Sequence, residues 1–151
     1  MDAFTLLKND HQKVAALFEQ IEPTTERAVK TREEAFGKLK EELDIHAHIE
    51  EKILYPVLKK EGETRDITFE GLEEHHVIKM LLAELEKMAV DSEEWTAKAK
   101  VLQENVEHHV EEEDTKMFKL GREVLTKEQI EDLRAQLEAE KNKVRAAAAA
   151  A

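Results

Sequence analysis

Apolar residues recur along this chain at alternating steps of three and four, the spacing that lines one face of an α-helix. The first such series is Phe4, Leu7, His11, Val14, Phe18 and Ile21, and the second is Phe36, Leu39, Leu43, His46, Glu50, Ile53 and Val57. A third sets Ile78, Leu81, Leu82 and Leu85 behind His75. The fourth runs Trp95, Ala99, Leu102, Val106, His109, Glu113 and Leu120, with Lys116 or Met117 between. The first helix should begin near Asp2 or Ala3 and end at Glu22, where Pro23 stops it. Thr31 with Glu34 reads as a capping box for a second helix reaching about Lys60, before Gly62. Asp66 opens a third helix to about Ala89, and Asp91 or Ser92 a fourth to about Leu120, with Gly121 beyond. Thr126 with Gln129 is a further capping box, starting a shorter helix to about Arg145. Short connections favour antiparallel neighbours, so the expected fold is all-α, an up-down-up-down four-helix bundle with a short extra C-terminal helix. The bundle takes residues 1–122 and the extra helix 123–145; the alanine run 146–151 extends that helix or is an artefact, and carries no function.

Two positions break the apolar seams. Glu50 and Glu113 stand where a bundle needs an apolar side chain, and each follows a histidine by four residues. An ionised carboxylate in a dry core costs several kcal/mol unless it is paired or bound to a metal. The chain also repeats: 35 residues separate His11 from His46, and 34 separate His75 from His109. Each half therefore supplies H, then H-x-x-x-E, and such duplication makes a chance arrangement implausible. At 1.5 Å per residue, His11 and His46 lie roughly 16 and 22 Å from the turn joining their helices, and His75 and His109 roughly 22 and 25 Å from theirs. All six side chains can meet mid-bundle, and a metal accounts for them.

Composition removes other chemistry. With 151 residues the chain makes one domain with a real core, and four glycines, two prolines and 5% aromatic residues suit helices throughout. The absence of cysteine excludes disulfides and thiolate sites. Neither a leader nor an apolar run near 18 residues is evident, so the expected location is cytoplasmic, with no membrane span. A net charge of −12 repels nucleic acid and anionic membranes. Ser92, the only serine, looks like a helix cap rather than a nucleophile, and the four glycines form no phosphate loop.

These residues resemble the hemerythrin-like (HHE cation-binding) domains over roughly positions 3 to 122. The resemblance rests on Asn9-Asp10-His11, on His46-x-x-x-Glu50 followed by Leu54-Tyr55-Pro56, on Glu74-His75, and on His108-His109-Val-Glu-Glu-Glu113 followed by Met117-Phe118. It implies a left-handed four-helix bundle around a non-haem di-iron centre. By the same resemblance Glu50 and Glu113 bridge the metals, His11 and His46 hold one iron, and His75 and His109 hold the other. An oxo or hydroxo bridge then leaves an open position on each iron. Four imidazoles and two carboxylates independently suit iron, with manganese less favoured. The small ligand is dioxygen, peroxide or nitric oxide. The implied function is binding of that ligand, with peroxide decomposition or nitric oxide reduction as the enzymatic alternative and iron storage or sensing as a third.

The oxygen carriers of that family have a further histidine one turn after the one matching His75, where this chain has Lys79. That lysine either snorkels to the surface or lies near the site as a proton source. Tyr55 either packs at the bundle wall or reaches in as an oxygen ligand. His48, His76 and His108 point elsewhere on their helices, and Glu51, Glu112 and Asp114 read as solvated charges. Gly71, one turn before His75, either admits a neighbouring ring or is an ordinary helix glycine.

Overall fold

The computed structural model describes residues 1–150; Ala151, the end of the alanine run, lies outside the described residues. Among the described residues there is no strand. The α-helices are α1 (Ala3–Ile21), α2 (Val29–Ile49), α3 (Tyr55–Leu58), α4 (Gly62–Glu86), α5 (Glu93–Glu112), α6 (Phe118–Val124) and α7 (Lys127–Ala150). Two π-helical segments, Glu50–Leu54 and Glu113–Met117, join α2 to α3 and α5 to α6 without a break, leaving five continuous rods. Among the described residues no helix is long and apolar enough to cross a membrane.

Several rods start where the sequence places a cap. Asp2 accepts the Thr5 amide at 2.9 Å, and Ser92 accepts the Trp95 amide at 3.1 Å. Thr126 and Gln129 form the reciprocal capping box, at 2.8 and 3.1 Å. The Thr31–Glu34 box does not form, because α2 begins earlier, at Val29, with no side-chain cap. Arg32 explains the earlier start. Its buried guanidinium donates to Thr24 O, to Thr24 Oγ1, to Val90 O at 2.7 Å and to Thr96 Oγ1, and it stacks on Trp95. Those contacts tie together the two inter-helix connections at that end, and they hold the first turn of α2 in place. The third rod also begins early, at Gly62 rather than Asp66, where Thr64 Oγ1 closes the connection onto Leu58 O at 2.6 Å. Gly121 does not end the fourth rod. It lies inside α6, where an added Cβ would sit 2.7 Å from Phe4 Cζ, so its role is close packing.

α1 packs on α2, α4 packs on α5, and α7 lies across α1 and α2. The core is divided in two. Val14, Phe18, Phe36, Leu82, Trp95 and Leu102 belong to one apolar cluster. Phe4, Leu7, Leu54, Leu58, Phe118 and Leu137 belong to the other. Four of the five rods pass from one cluster to the other through a polar layer: His11 between Leu7 and Val14, His46 and Glu50 between Leu43 and Leu54, His75 before Ile78, His109 and Glu113 between Val106 and Met117; α7 adds only to the second cluster.

Past that layer the observed seam departs from the expected one. Leu54, Tyr55 and Leu58 are buried where Ile53 and Val57 were expected; Met117, not Lys116, takes the expected place after Glu113, and Phe118 and Gly121 replace Leu120. Each π segment accommodates one extra residue, its amide bonding five positions back: Tyr55 to Glu50 O and Phe118 to Glu113 O. A strict 3.6-residue period runs correctly up to each glutamate and is out of register beyond it.

Candidate metal centre

His11, His46, Glu50, His75, His109 and Glu113 converge inside the bundle, all buried, with both glutamates fully shielded from solvent. Two groups of potential metal ligands result: His11, His46, Glu50 and Glu113, and Glu50, His75, His109 and Glu113. Within each group the ligand atoms lie within 4.8 Å of one another, and both carboxylates belong to both groups. His11 Nε2 lies 3.2 Å from His46 Nε2 and 3.0 Å from Glu113 Oε1. Across the site, His75 Nε2 lies 3.1 Å from both His109 Nε2 and Glu50 Oε1. His46 Nε2 closes the ring at 3.1 Å from Glu50 Oε1.

Every histidine turns its other nitrogen outward onto a carboxylate. Nδ1 of His11 donates to Asp114 at 2.9 Å, that of His46 to Asp10 at 3.1 Å, that of His75 to Glu51 at 2.8 Å and that of His109 to Glu74 at 2.6 Å. A proton fixed on Nδ1 leaves the Nε2 lone pair facing inward, the tautomer a metal requires. Asp10 and Glu74 each precede the first histidine of their half, whereas Glu51 and Asp114 each follow the glutamate. Glu51 and Asp114 were expected to be solvated charges; they are instead partly buried partners of His75 and His11. The duplication that exposed the six inner residues carried the same signal for these four.

The electrostatics follow from this density of charge. Burial opposes a charged His109, but Glu113 outweighs it and raises the imidazole to about 10. Burial likewise works against His46, and the Glu50 carboxylate again overcomes it. Glu113 is held well below the usual carboxylate range, since His109 and the other imidazoles more than offset its desolvation. Asp10 lies at about 2, where the His46 and Lys141 interactions overcome burial, and Glu51 also lies at about 2, lowered first by the His75 hydrogen bond.

The π segments bring one aromatic ring to each half. Tyr55 stacks on His75 at 5.2 Å between centroids, and Phe118 stacks on His11 at 5.9 Å. The two differ only in the hydroxyl, and Tyr55 OH donates to Glu113 Oε2 and lies 3.4 Å from both Glu50 Oε1 and His75 Nε2. Tyr55 reaches in, but as a hydrogen-bond donor to Glu113, and it belongs to neither group of potential ligands. Burial, and then the Glu113 charge, push its phenol well above the ordinary range, so it keeps its proton. Gly71 admits this ring: a Cβ there would stand 3.1 Å from the Tyr55 hydroxyl. Lys79 takes the surface, half exposed, with Nζ 3.0 and 2.8 Å from the Glu51 oxygens. His48, His76 and His108 are exposed and supply no atom to the inner ring.

Two buried side-chain polar atoms lack a protein partner, Trp95 Nε1 in the apolar core and one atom at this site. Glu50 Oε2 is buried and lacks any hydrogen-bond partner. Such an orphan costs about 1–3 kcal/mol or more for a charged group. A cation between the two histidine pairs would satisfy it, so the donor set fits a metal.

The chain belongs to the hemerythrin HHE cation-binding domain family, whose model matches residues 2–120. A DNA nickase from Nostoc sp. is 27% identical over 147 residues, which is 95% of this chain and 40% of that protein. The chain thus spans about 40% of the length of that curated relative. Among solved structures, a hemerythrin HHE cation-binding domain-containing protein from Mycobacterium kansasii superposes with a TM-score of 0.85 at 24% identity, over 98% of this chain and 90% of that one. At that identity the likeness speaks for the fold.

Proposed function

We propose that this is a non-haem di-iron protein that takes up a small oxidant, dioxygen or its relatives peroxide and nitric oxide, inside a left-handed, up-down-up-down bundle. The observation that carries the reading is the sharing of Glu50 and Glu113 between two histidine pairs. His11 and His46 would hold one ion and His75 and His109 the other, with both carboxylates bridging. Bound iron would supply electron exchange and an open coordination position, chemistry that no side chain here provides. Iron is preferred over manganese for this mixture of imidazole and carboxylate, and the choice is open to direct analysis.

Charge supports two ions. Glu50, Glu113, Asp10, Glu51, Glu74 and Asp114 bring six negative charges, and Lys79 and Lys141 bring two positive ones. The remaining four match a pair of divalent cations when the imidazoles are neutral. The protein's own residues then do the rest: outer carboxylates orient the rings, and the apolar clusters exclude bulk water. A cavity of about 20 Å³ lies beside the four histidines, walled largely by Val14, Leu43, Ile78, Leu82 and Val106. Its size is enough for about one water-sized molecule.

Tyr55 favours a second reading, turnover of hydrogen peroxide rather than uptake. Its hydroxyl stays protonated against Glu113 and can deliver a proton at the site. The nickase name of the relative is not carried across, because a net charge of −12 opposes a phosphate backbone. The test is elemental analysis after anaerobic reconstitution with ferrous iron, followed by optical spectra in air and in peroxide. About two irons per chain are expected, and His46→Ala or Glu113→Ala should lose at least one. Absence of tightly held iron or manganese would overturn the reading.

A further inference from the structure

The four outer carboxylates are not held alike. The side chain of Asp10 is 3% exposed, against 29% for Glu51, 26% for Glu74 and 32% for Asp114. What buries Asp10 is α7. Lys141 reaches from that helix to Asp10 Oδ1, while Asp10 Oδ2 accepts from His46 Nδ1. On either side of Lys141, α7 is anchored by further ion pairs: Glu140 with Lys52 at 2.8 Å, and Arg145 with Glu42 at 2.8 Å. On the other half Glu74, the counterpart of Asp10, pairs with histidines alone, and the lysine there, Lys79, pairs instead with Glu51 at the surface, 47% exposed against 14% for Lys141.

We infer that α7 is part of the metal centre: Lys141 pins Asp10 against His46, so that the His11/His46 half keeps its ion more tightly than the His75/His109 half. The inference rests on the two-ion reading above and assigns Lys141 as a positioning residue. A buried carboxylate clamped by an ammonium has one orientation and no competing water, so the imidazole it holds is fixed before metal arrives. An exposed ion pair gives little such restraint, since water screens it and competes for both partners. Release of the two ions should therefore be unequal, one escaping through the wetter half and one retained beneath α7.

The experiment loads the full-length protein anaerobically with ferrous iron and follows its release to a chromogenic ferrous chelator. The wild-type protein should release iron in two phases of equal amplitude. Lys141→Met should accelerate the slow phase about tenfold, the lower end of the loss seen when an outer partner of a metal ligand is removed. It should leave the fast phase unchanged, and Lys141→Arg should restore wild-type release. Lys79→Met should touch only the fast phase. A general loosening of the fold would accelerate both phases together, and that outcome overturns the assignment, as does a single phase in the wild-type protein or an unchanged slow phase in Lys141→Met. Should Lys141→Met fail to fold, Lys141→Gln carries the same expectation, because it removes the charge and keeps a donor. A protein that takes up no iron overturns the two-ion reading itself, so the two failures are distinguishable.

Discussion

The Tyr55 hydroxyl donates to Glu113 Oε2, linking the two halves of a duplicated chain. Phe118 occupies the matching place against His11 with no hydroxyl to offer. Tyr55→Phe removes this difference between the halves while keeping the stacked ring. Metal content should stay at the wild-type value. If the centre turns over peroxide, loss of the proton donor should slow it by about 10²-fold. Initial rates, normalised to iron, decide this; an unchanged rate with unchanged iron would leave Tyr55 as packing and remove the main support for turnover.

The sequence revealed the inner six residues because polar groups in an apolar seam are conspicuous, and because the chain shows them twice. It revealed helix starts where a side chain caps the backbone, at Asp2, Ser92 and Thr126. What it hid was register. A π segment leaves no mark in a pattern of apolar steps, so Ile53 and Val57 read as core and the placement of Tyr55 stays open between the bundle wall and the site. Arg32 was hidden for a different reason: its partners are backbone carbonyls and threonine hydroxyls on two distant connections, and no local pattern announces them.

That register can be tested by truncation. Leu58 is fully buried in the cluster shared with Phe4 and Phe118, whereas Val57 only packs at its edge. Leu58→Ala should cost about 2–5 kcal/mol of unfolding free energy. Val57→Ala should cost about 1 kcal/mol or less. Denaturant melts of the two variants measure the difference. The reverse order would restore an uninterrupted seam and remove the π segment.

Asp2 carries a pH dependence remote from the metal. The Arg122 guanidinium beside it, more than any other contact, holds its carboxyl at about 2, below the unfolded value of 3.8. A depressed folded pKa contributes stability that is complete above the unfolded value and disappears as pH falls through the folded one. The pair is largely solvated, so its contribution is about 1 kcal/mol or less. Asp2→Asn keeps a capping oxygen and loses the charge. It should be less stable than wild type at pH 6 by that small margin, and the margin should begin to close only below about pH 4. A gap constant from pH 6 to pH 3 would show that the cap, and not the charge, matters.

Removing the metal should loosen the middle of the molecule. Glu50 and Glu113 then face each other in a dry core, with Glu50 Oε2 left without a partner. A ligand held at a hundred times its dissociation constant adds about 2.7 kcal/mol to stability. For a chain of this size that corresponds to a melting temperature roughly 5–10 °C higher. Scanning calorimetry of iron-loaded and chelator-treated protein at neutral pH reads the shift directly. Coincident curves would mean that the carboxylates are hydrated and that the site binds nothing in this layer.

If the centre takes up a small oxidant as proposed, Lys79 should decide how that oxidant is treated. It lies one turn after His75, and it lines the small cavity along with His75 and His109. Its ammonium is drawn back to Glu51, so no third imidazole completes the His75/His109 half. In the two-iron reading, two histidines on each side would leave both irons an open position for the same oxidant. The reduced iron protein should therefore oxidise irreversibly in air, or consume peroxide, without a long-lived oxygen adduct. Lys79→His places an imidazole on the same helix face four residues after His75. It should slow air oxidation and give spectral changes that reverse on degassing. Repeated cycles of aeration and degassing, followed by visible absorption, measure this. Reversible cycling by the unmodified protein would instead make it a carrier, with Lys79 a surface charge and nothing more.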